Sequence, residues 1–194
     1  GSHELLEPLR KMGLPVEETD LRMGNNTGAV ADLAFNGRGV KGKPVSVGIE
    51  FKKFGECIGS LRTERLQGAQ LPSMRDTYDF AWLIIEGEVL YDARGRLLRR
   101  KGKREFTVMP GSMSISEYYK RIFVLHICGG LNPIWTVSRL DTLKVIEALY
   151  RTWTDCDFDF TEVECVSIVS GATGIGDARG MKFKGCYLQS GGTG

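Results

Sequence analysis

Residues 80–87 (FAWLIIEG) form an almost continuous apolar run closed by an acid and a glycine. A strand with one wet face alternates apolar and polar residues. A run this even belongs to a strand buried on both faces, inside a sheet with helices above and below. Neighbouring segments agree. Residues 45–52 (VSVGIEFK) are β-branched and apolar, then charged, and predict a second strand. Residues 29–35 (AVADLAF) alternate, and a basic, glycine-rich connection (GRGVKGK, 37–43) makes them its hairpin partner. Further extended segments are predicted over 14–22 and 134–137. Helices are predicted over 4–12, closed by Gly13, over 58–71, and over 114–127. The helix over 114–127 starts with Ser114 and Glu117 in a capping-box pattern, with Tyr119, Ile122, Phe123 and His126 recurring at helical spacing. Ser138 and Asp141 repeat the cap ahead of a last helix, whose apolar face is Leu143, Ile146, Leu149, Tyr150 and Trp153. The order α-β-β-β-α-β-α-β-α defines an α/β fold: a central mixed sheet flanked by helices on both faces. Residues 4–165 form one domain in this reading, and 166–194 a glycine-rich C-terminal tail.

Composition excludes several classes. A chain of 194 residues suits one domain with its own core. Five cysteines are an odd count without any C-x-x-C, so neither a disulfide framework nor a zinc site is expected, and reduced thiols point to an intracellular protein. No signal peptide is expected at the start, and no apolar run approaches a membrane span of about 20 residues. Only His3 and His126 are available for histidine chemistry, and His126 lies in the run IFVLHICGG, where a packed core histidine is expected. Net charge is +2, but its distribution is uneven. Residues 94–104 (RGRLLRRKGKR) hold seven bases and no acid, whereas 155–164 (DCDFDFTEVE) are acidic. Seven cations without counter-charges repel each other unless a polyanion is present, so this segment predicts nucleic-acid backbone contact. For the loop 37–43, such contact and a merely solvated hairpin tip are equally good readings.

One constellation carries chemistry. Residues two apart on a strand project from the same side, so Glu50 and Lys52 point together. Antiparallel pairing brings Asp32, the acid of the preceding strand, beside Glu50. Two adjacent carboxylates repel unless a cation lies between them, and Mg²⁺ suits oxygen ligands completed by water and phosphate. Lys52 then lies where it can orient a water and stabilise charge at phosphorus. The pattern D…ExK is short, and by itself it also describes the solvent end of an ordinary strand.

The residues that follow sharpen it. The stretch EFKKFGECIGSLRTERLQGAQ (50–70) resembles the nuclease domain of the XPF/Mus family of structure-specific endonucleases, within the PD-(D/E)xK superfamily. Glu50-x-Lys52, Glu56, Ile58-Gly59-Ser60-Leu61, Arg65-Leu66 and Gln70 stand at the family's spacing without a gap. Ala31-Asp32 matches the family's Gly-Asp, LIIEG (83–87) its apolar strand ending in an acid, and IWTVSRLDTLKVIEALY its later strand and helix. Phe51 departs from the family's arginine, and Glu56 from its usual aspartate. The sequence starts at the helix that would follow the family's opening strand with Asp-x-Arg-Glu; either that strand lies ahead of it or its acid is missing, and for the second case Glu17, Glu18 and Asp20 are candidate substitutes.

The resemblance implies a restriction-endonuclease-like core over 4–165 and a Mg²⁺- or Mn²⁺-dependent DNA endonuclease for branched, flapped or otherwise structured DNA. It implies Asp32, Glu50 and the Phe51 carbonyl as metal ligands, Lys52 as the water-positioning group, and Arg65 on the scissile phosphate. Arg62 joins Arg65 on one helix side, and Gln70 is either a further DNA contact or an exposed amide. Arg99, Arg100, Lys101, Lys103 and Arg104 are expected on the DNA backbone. A homodimer or heterodimer through the nuclease domain is a further expectation, with the apolar 143–153 face serving either that interface or the core. Residues 170–176 (SGATGIG) suggest part of a helix-hairpin-helix-like element. Two alternatives stay open: a catalytically inactive DNA-binding or scaffold partner of the same fold, and a junction-resolvase-like nuclease.

Overall fold

A computed structural model describes residues 3–18, 31–63, 66, 68, 71–109, 111 and 113–155. The elements in chain order are α1 (His3–Lys11), β1 (Leu33–Arg38), β2 (Pro44–Lys53), α2 (Phe54–Arg62), α3 (Leu71–Thr77) and β3 (Phe80–Glu86). They continue with β4 (Leu90–Tyr91), β5 (Leu97–Arg100), β6 (Phe106–Val108), α4 (Ile115–Gly129), β7 (Leu131–Thr136) and α5 (Arg139–Asp155). One compact unit comprises Gly1–Gly39 and Lys43–Cys156; of a second, Val40–Gly42 with Asp157–Gly194, only the helical turn 40–42 is among the described residues. The tail and its suggested hairpin element lie outside them.

The central sheet has the order β1-β2-β3-β7. β1 and β2 are antiparallel, while β2–β3 and β3–β7 are parallel. Its inner strands are apolar on both sides, as the run at 80–87 requires. On one face Ile49, Phe51 and Ile84 pack with Leu5 and Leu9 of α1 and Leu143, Ile146 and Leu149 of α5. On the other, Leu83 and Ile85 pack with Cys57, Ile58 and Leu61 of α2 and Tyr118, Ile122 and Leu125 of α4. The fold class is therefore the expected mixed sheet with helices on both faces, and the α5 face proves to be core.

Both predicted helix starts have their caps. Ser114 Oγ accepts from Glu117 N at 3.1 Å, and Ser138 Oγ from Asp141 N at 3.2 Å. Gly130 closes α4 in the left-handed region at φ 65°, where glycine carries no Cβ penalty.

Four expectations need correction. The buried stripe of α4 is Tyr118, Ile122 and Leu125, whereas Phe123 and His126 are exposed. Apolar residues cover most of this helix, so sequence alone left its rotational phase open. His126 is no core residue; its Nδ1 lies 2.8 Å from the Leu131 carbonyl oxygen, across the turn that ends the helix. Residues 14–18 carry no strand, and 19–22 lie outside the described residues. The basic stretch 94–104 is no simple loop, because it contains β5, the middle strand of a separate antiparallel sheet β4-β5-β6. Its strands, of 2, 4 and 3 residues, are too short to show a period of two in the sequence.

Gly48 sits mid-strand in β2, where a Cβ would collide with three ring carbons of Tyr78. Gly48→Ala is expected to destabilise the protein by about 1–3 kcal/mol, the range of overpacking in a tight core. Urea unfolding followed by circular dichroism measures it.

Candidate active site

β2 builds the site through strand alternation. Ile49 and Phe51 face α1 and α5, so Glu50 and Lys52 face the α2/α4 side. Glu50 is only 3% exposed. A carboxylate so deeply placed needs a compensating charge. Lys52 supplies it, its Nζ donating to Glu50 Oε1 at 2.6 Å, with side-chain exposures of 13% and 4% for the pair.

Asp32 arrives from the other arm of the hairpin. Leu33, the first residue of β1, stands opposite Ile49, and Asp32 precedes it at the point where the regular pairing ends. Asp32 N donates to the Ile49 carbonyl at 3.0 Å, and its Oδ2 accepts from Phe51 N at 2.9 Å. The carboxylate thus takes the place of a ladder carbonyl where β1 begins. In an extended strand a residue's N–H and C=O point to the same side, so the Phe51 carbonyl also faces the β1 edge. The Asp32 carboxylate and the Phe51 carbonyl thus share the β1 edge of β2, one residue on from Glu50.

This donor set fits Mg²⁺ or Mn²⁺. Among the described residues no cluster of three or more His, Cys, Asp and Glu forms. Mg²⁺ needs no such cage, since one or two carboxylates with water and phosphate oxygens satisfy it. Glu17 and Glu18, the candidate substitutes, are exposed, and Asp20 lies outside the described residues. Glu56 is occupied locally, its Oε2 accepting from Lys53 N at 3.3 Å as an N-terminal cap of α2.

A polar network behind the corner escaped the sequence reading. Glu86, at the end of β3, lies on the α5 face, opposite to Glu50. Arg139 donates to it through Nε at 2.9 Å, Thr142 Oγ1 at 2.8 Å, and Arg139 also reaches Glu4 Oε2 at 3.0 Å. The guanidinium lies 5.2 Å from the centre of the Phe51 ring. Phe51, between the two charged residues of the site, is thereby held from behind by α1, α5 and β3. Hydrogen bonding from Arg139, then from Lys53, holds the Glu4 carboxyl below its ordinary range. Glu86, in turn, raises the Arg139 pKa. In the sequence these partners are single polar residues at element ends, 135 positions apart in the case of Glu4 and Arg139, and no local pattern links them.

Under the Glu50–Lys52 face lies Cys57 of α2. Burial pushes its thiol up to about 12, against a smaller opposing pull from Lys52. It is no nucleophile at neutral pH.

The expected DNA contacts are placed unevenly. Arg62, in the last turn of α2, is exposed, and its guanidinium approaches the turn at Gly111 that leads into α4. Arg65 and Gln70 lie outside the described residues. Arg99, Lys101, Lys103 and Arg104 are exposed on β5 and the β5–β6 turn, and no ion pair engages them among the described residues. Two of the seven bases in 94–104 are, however, compensated: Arg96 pairs with Asp92 at 2.7 Å and Arg100 with Glu88 at 2.7 Å. The expectation of seven uncompensated cations is corrected to that extent, because both acids lie just outside the basic segment and fold back onto it.

The class of fold is now defined: a mixed α/β sheet with helices on both faces, a fold shared with XPF. Solved structures of XPF from Aeropyrum pernix carry it. One aligns at a TM-score of 0.51 with 21% identity, over 87% of this chain and 64% of that one. Another, a complex with DNA, aligns at 0.52 with 22% identity, over 89% and 70%. The chain thus spans just under two thirds of the first of these structures. No protein-family model and no curated protein sequence matches it. Among the described residues no helix is long and apolar enough to cross a membrane.

Replacing Lys52 with methionine removes the ammonium that pairs with Glu50. Lys52→Met is expected to cost about 3 kcal/mol, as when one member of a buried ion pair is deleted. Adding Glu50→Gln is expected to recover part of that loss. Urea midpoints of the two single variants and the double variant measure the coupling.

Proposed function

We propose that the protein is a metal-dependent DNA endonuclease that hydrolyses phosphodiesters in branched, flapped or otherwise structured DNA. One observation carries this reading. Asp32 accepts from the Phe51 N–H at 2.9 Å where β1 begins, next along β2 to a buried Glu50 whose carboxylate lies 2.6 Å from Lys52. A structural ion pair needs Glu50 and Lys52 alone; it does not need a third charged group at the same corner. The A. pernix XPF bound to DNA, which has this fold, adds support.

Asp32, Glu50 and the Phe51 carbonyl would hold the ion. A bound Mg²⁺ or Mn²⁺ supplies Lewis-acid charge and lowers the pKa of water for attack on phosphorus. The chain's own contribution is positioning. The Phe51 N–H bond fixes the Asp32 carboxylate, and burial fixes Glu50. Lys52, on the same face as Glu50, orients the attacking water and balances charge on the phosphate. Arg65, Arg62 and Gln70, on the segment following β2, fit phosphate contacts. Arg99, Lys101, Lys103 and Arg104 fit the backbone of flanking DNA.

A dimer fits an apolar surface away from this corner. With Leu143, Ile146 and Leu149 committed to the core, the exposed large apolar residues of α4 and β7 remain. Ile127 is 78% exposed, and the rings of Tyr119, Phe123 and Trp135 connect helix to strand.

With Mg²⁺ and a panel of labelled duplex, flap, fork and junction DNAs, the wild type is expected to cut a structured substrate. Asp32→Asn keeps an oxygen for the Phe51 N–H but loses the charge; it and Lys52→Met are expected to abolish cleavage and retain binding. Equal cutting by all three proteins would refute the site. Tight binding without cutting by the wild type would leave an inactive scaffold of the same fold.

Counterion release predicts a second result. Lys101→Glu with Lys103→Glu is expected to weaken binding alike across sequences and to flatten the salt slope by roughly two phosphate contacts. Titration at several salt concentrations reads the slope.

A further inference from the structure

The small sheet β4-β5-β6 is tied into the core on one side only. Leu97 is fully buried among α2 and α4 residues. In an antiparallel sheet, paired residues share a face, and residues two apart on a strand share it too. Leu90 pairs with Leu98, Leu98 with Val108, and Arg100 with Phe106. These five form the face opposite to Leu97. Phe106 is 45% and Val108 38% exposed, and neither belongs to a core cluster. The result is an apolar sheet face with an aromatic ring set in it, bounded at the β5–β6 turn by Lys101, Lys103 and Arg104.

The ring is held in place. The Arg100 guanidinium lies 5.2 Å from the Phe106 centroid. Arg100 is itself anchored, donating to Glu88 at 2.7 Å and to the Lys103 carbonyl at 3.2 Å. Its charge is thus already matched, and by lying over one face of the ring it orients Phe106 so that a stacked group has only the other face to use. An immobilised, half-exposed aromatic loses little freedom when a flat group stacks on it. A flat apolar face flanked by unpaired cations is complementary to a ligand that is itself flat, apolar and polyanionic.

We propose that this sheet face binds single-stranded DNA, with a base stacked on Phe106 and phosphates running towards Lys101, Lys103 and Arg104. A duplex keeps its bases stacked inside, so Phe106 has nothing to offer it; only an unpaired strand can use the ring. The inference rests on the DNA-binding reading above and adds to it the part of a branched substrate that this sheet takes: its unpaired arm.

Fluorescence anisotropy in EDTA, without metal, separates the claims. The probes are labelled oligo(dT) and a labelled hairpin duplex of equal length. Phe106→Ala is expected to weaken oligo(dT) binding about tenfold, the usual order for one stacked base, and to leave duplex binding unchanged. Phe106→Trp is expected to restore it, whereas Phe106→Leu, which keeps apolar area without a π face, is not. Circular dichroism checks that each variant is folded, and the leucine and tryptophan pair decides the matter if alanine is not. Full restoration by leucine, equal loss on both probes, or no loss on either would overturn the proposal. So would a wild type that binds duplex only, although the DNA reading would survive. A self-associating wild type that Phe106→Ala makes monomeric would also overturn it, because the face would then be a protein interface. Stacking-dependent binding by a wild type that cuts nothing in Mg²⁺ would uphold the platform and remove the hydrolytic reading alone.

Discussion

A carboxylate inside a sheet is the constraint on which this structure turns. Glu50 occupies a position that the surrounding apolar residues would otherwise fill, and water does not reach it to any useful degree. It persists because Lys52 stands two residues on, on the same face, with its ammonium 2.6 Å away. Strand alternation makes this arrangement possible, since no helix or turn between the two could displace one from the other. The same alternation sends Phe51 to the far side. The chemical corner and its mechanical support are thus built from three consecutive residues.

That support separates the two faces of the sheet by task. The α2/α4 side holds the Glu50–Lys52 pair and the attachment of the small basic sheet through Leu97. The α1/α5 side holds a network with no reactive geometry, in which Arg139 links Glu86, Glu4 and the Phe51 ring. A charged network is costly to desolvate, and it contributes most when its members lock one another's rotamers. Here it fixes the strand end from which the site projects.

Much of this was legible in the linear chain. The even apolar run at 80–87 required helices on both faces, the Ser114 and Ser138 caps marked two helix starts, and the hairpin of β1 and β2 followed from two apolar segments joined by a glycine-rich turn. Each of these depends on neighbours a few residues apart. Harder features involved distance or ambiguity. Of the expected α4 stripe, Ile122 and Tyr119 do face the core, whereas Phe123 and His126 do not, because they are as compatible with a helical stripe as Tyr118 and Leu125. β5 is too short for its alternation to stand out. Asp92 and Glu88 pair with cations that looked uncompensated, because hairpin geometry returns them to the basic segment.

The sequence by itself determined which residues could share a strand face, which helices would be capped, and that an acid–x–lysine step would end a buried strand. Backbone periodicity and local hydrogen bonding set those properties, and both act over a few residues. Tertiary structure alone decided that Arg139 would stand behind Phe51, that Glu86 would face away from Glu50, and that Phe106 would lie open beside cations that are unpaired among the described residues. Those outcomes follow from how separate elements pack, which depends on the shape of surfaces that do not exist until the chain has folded.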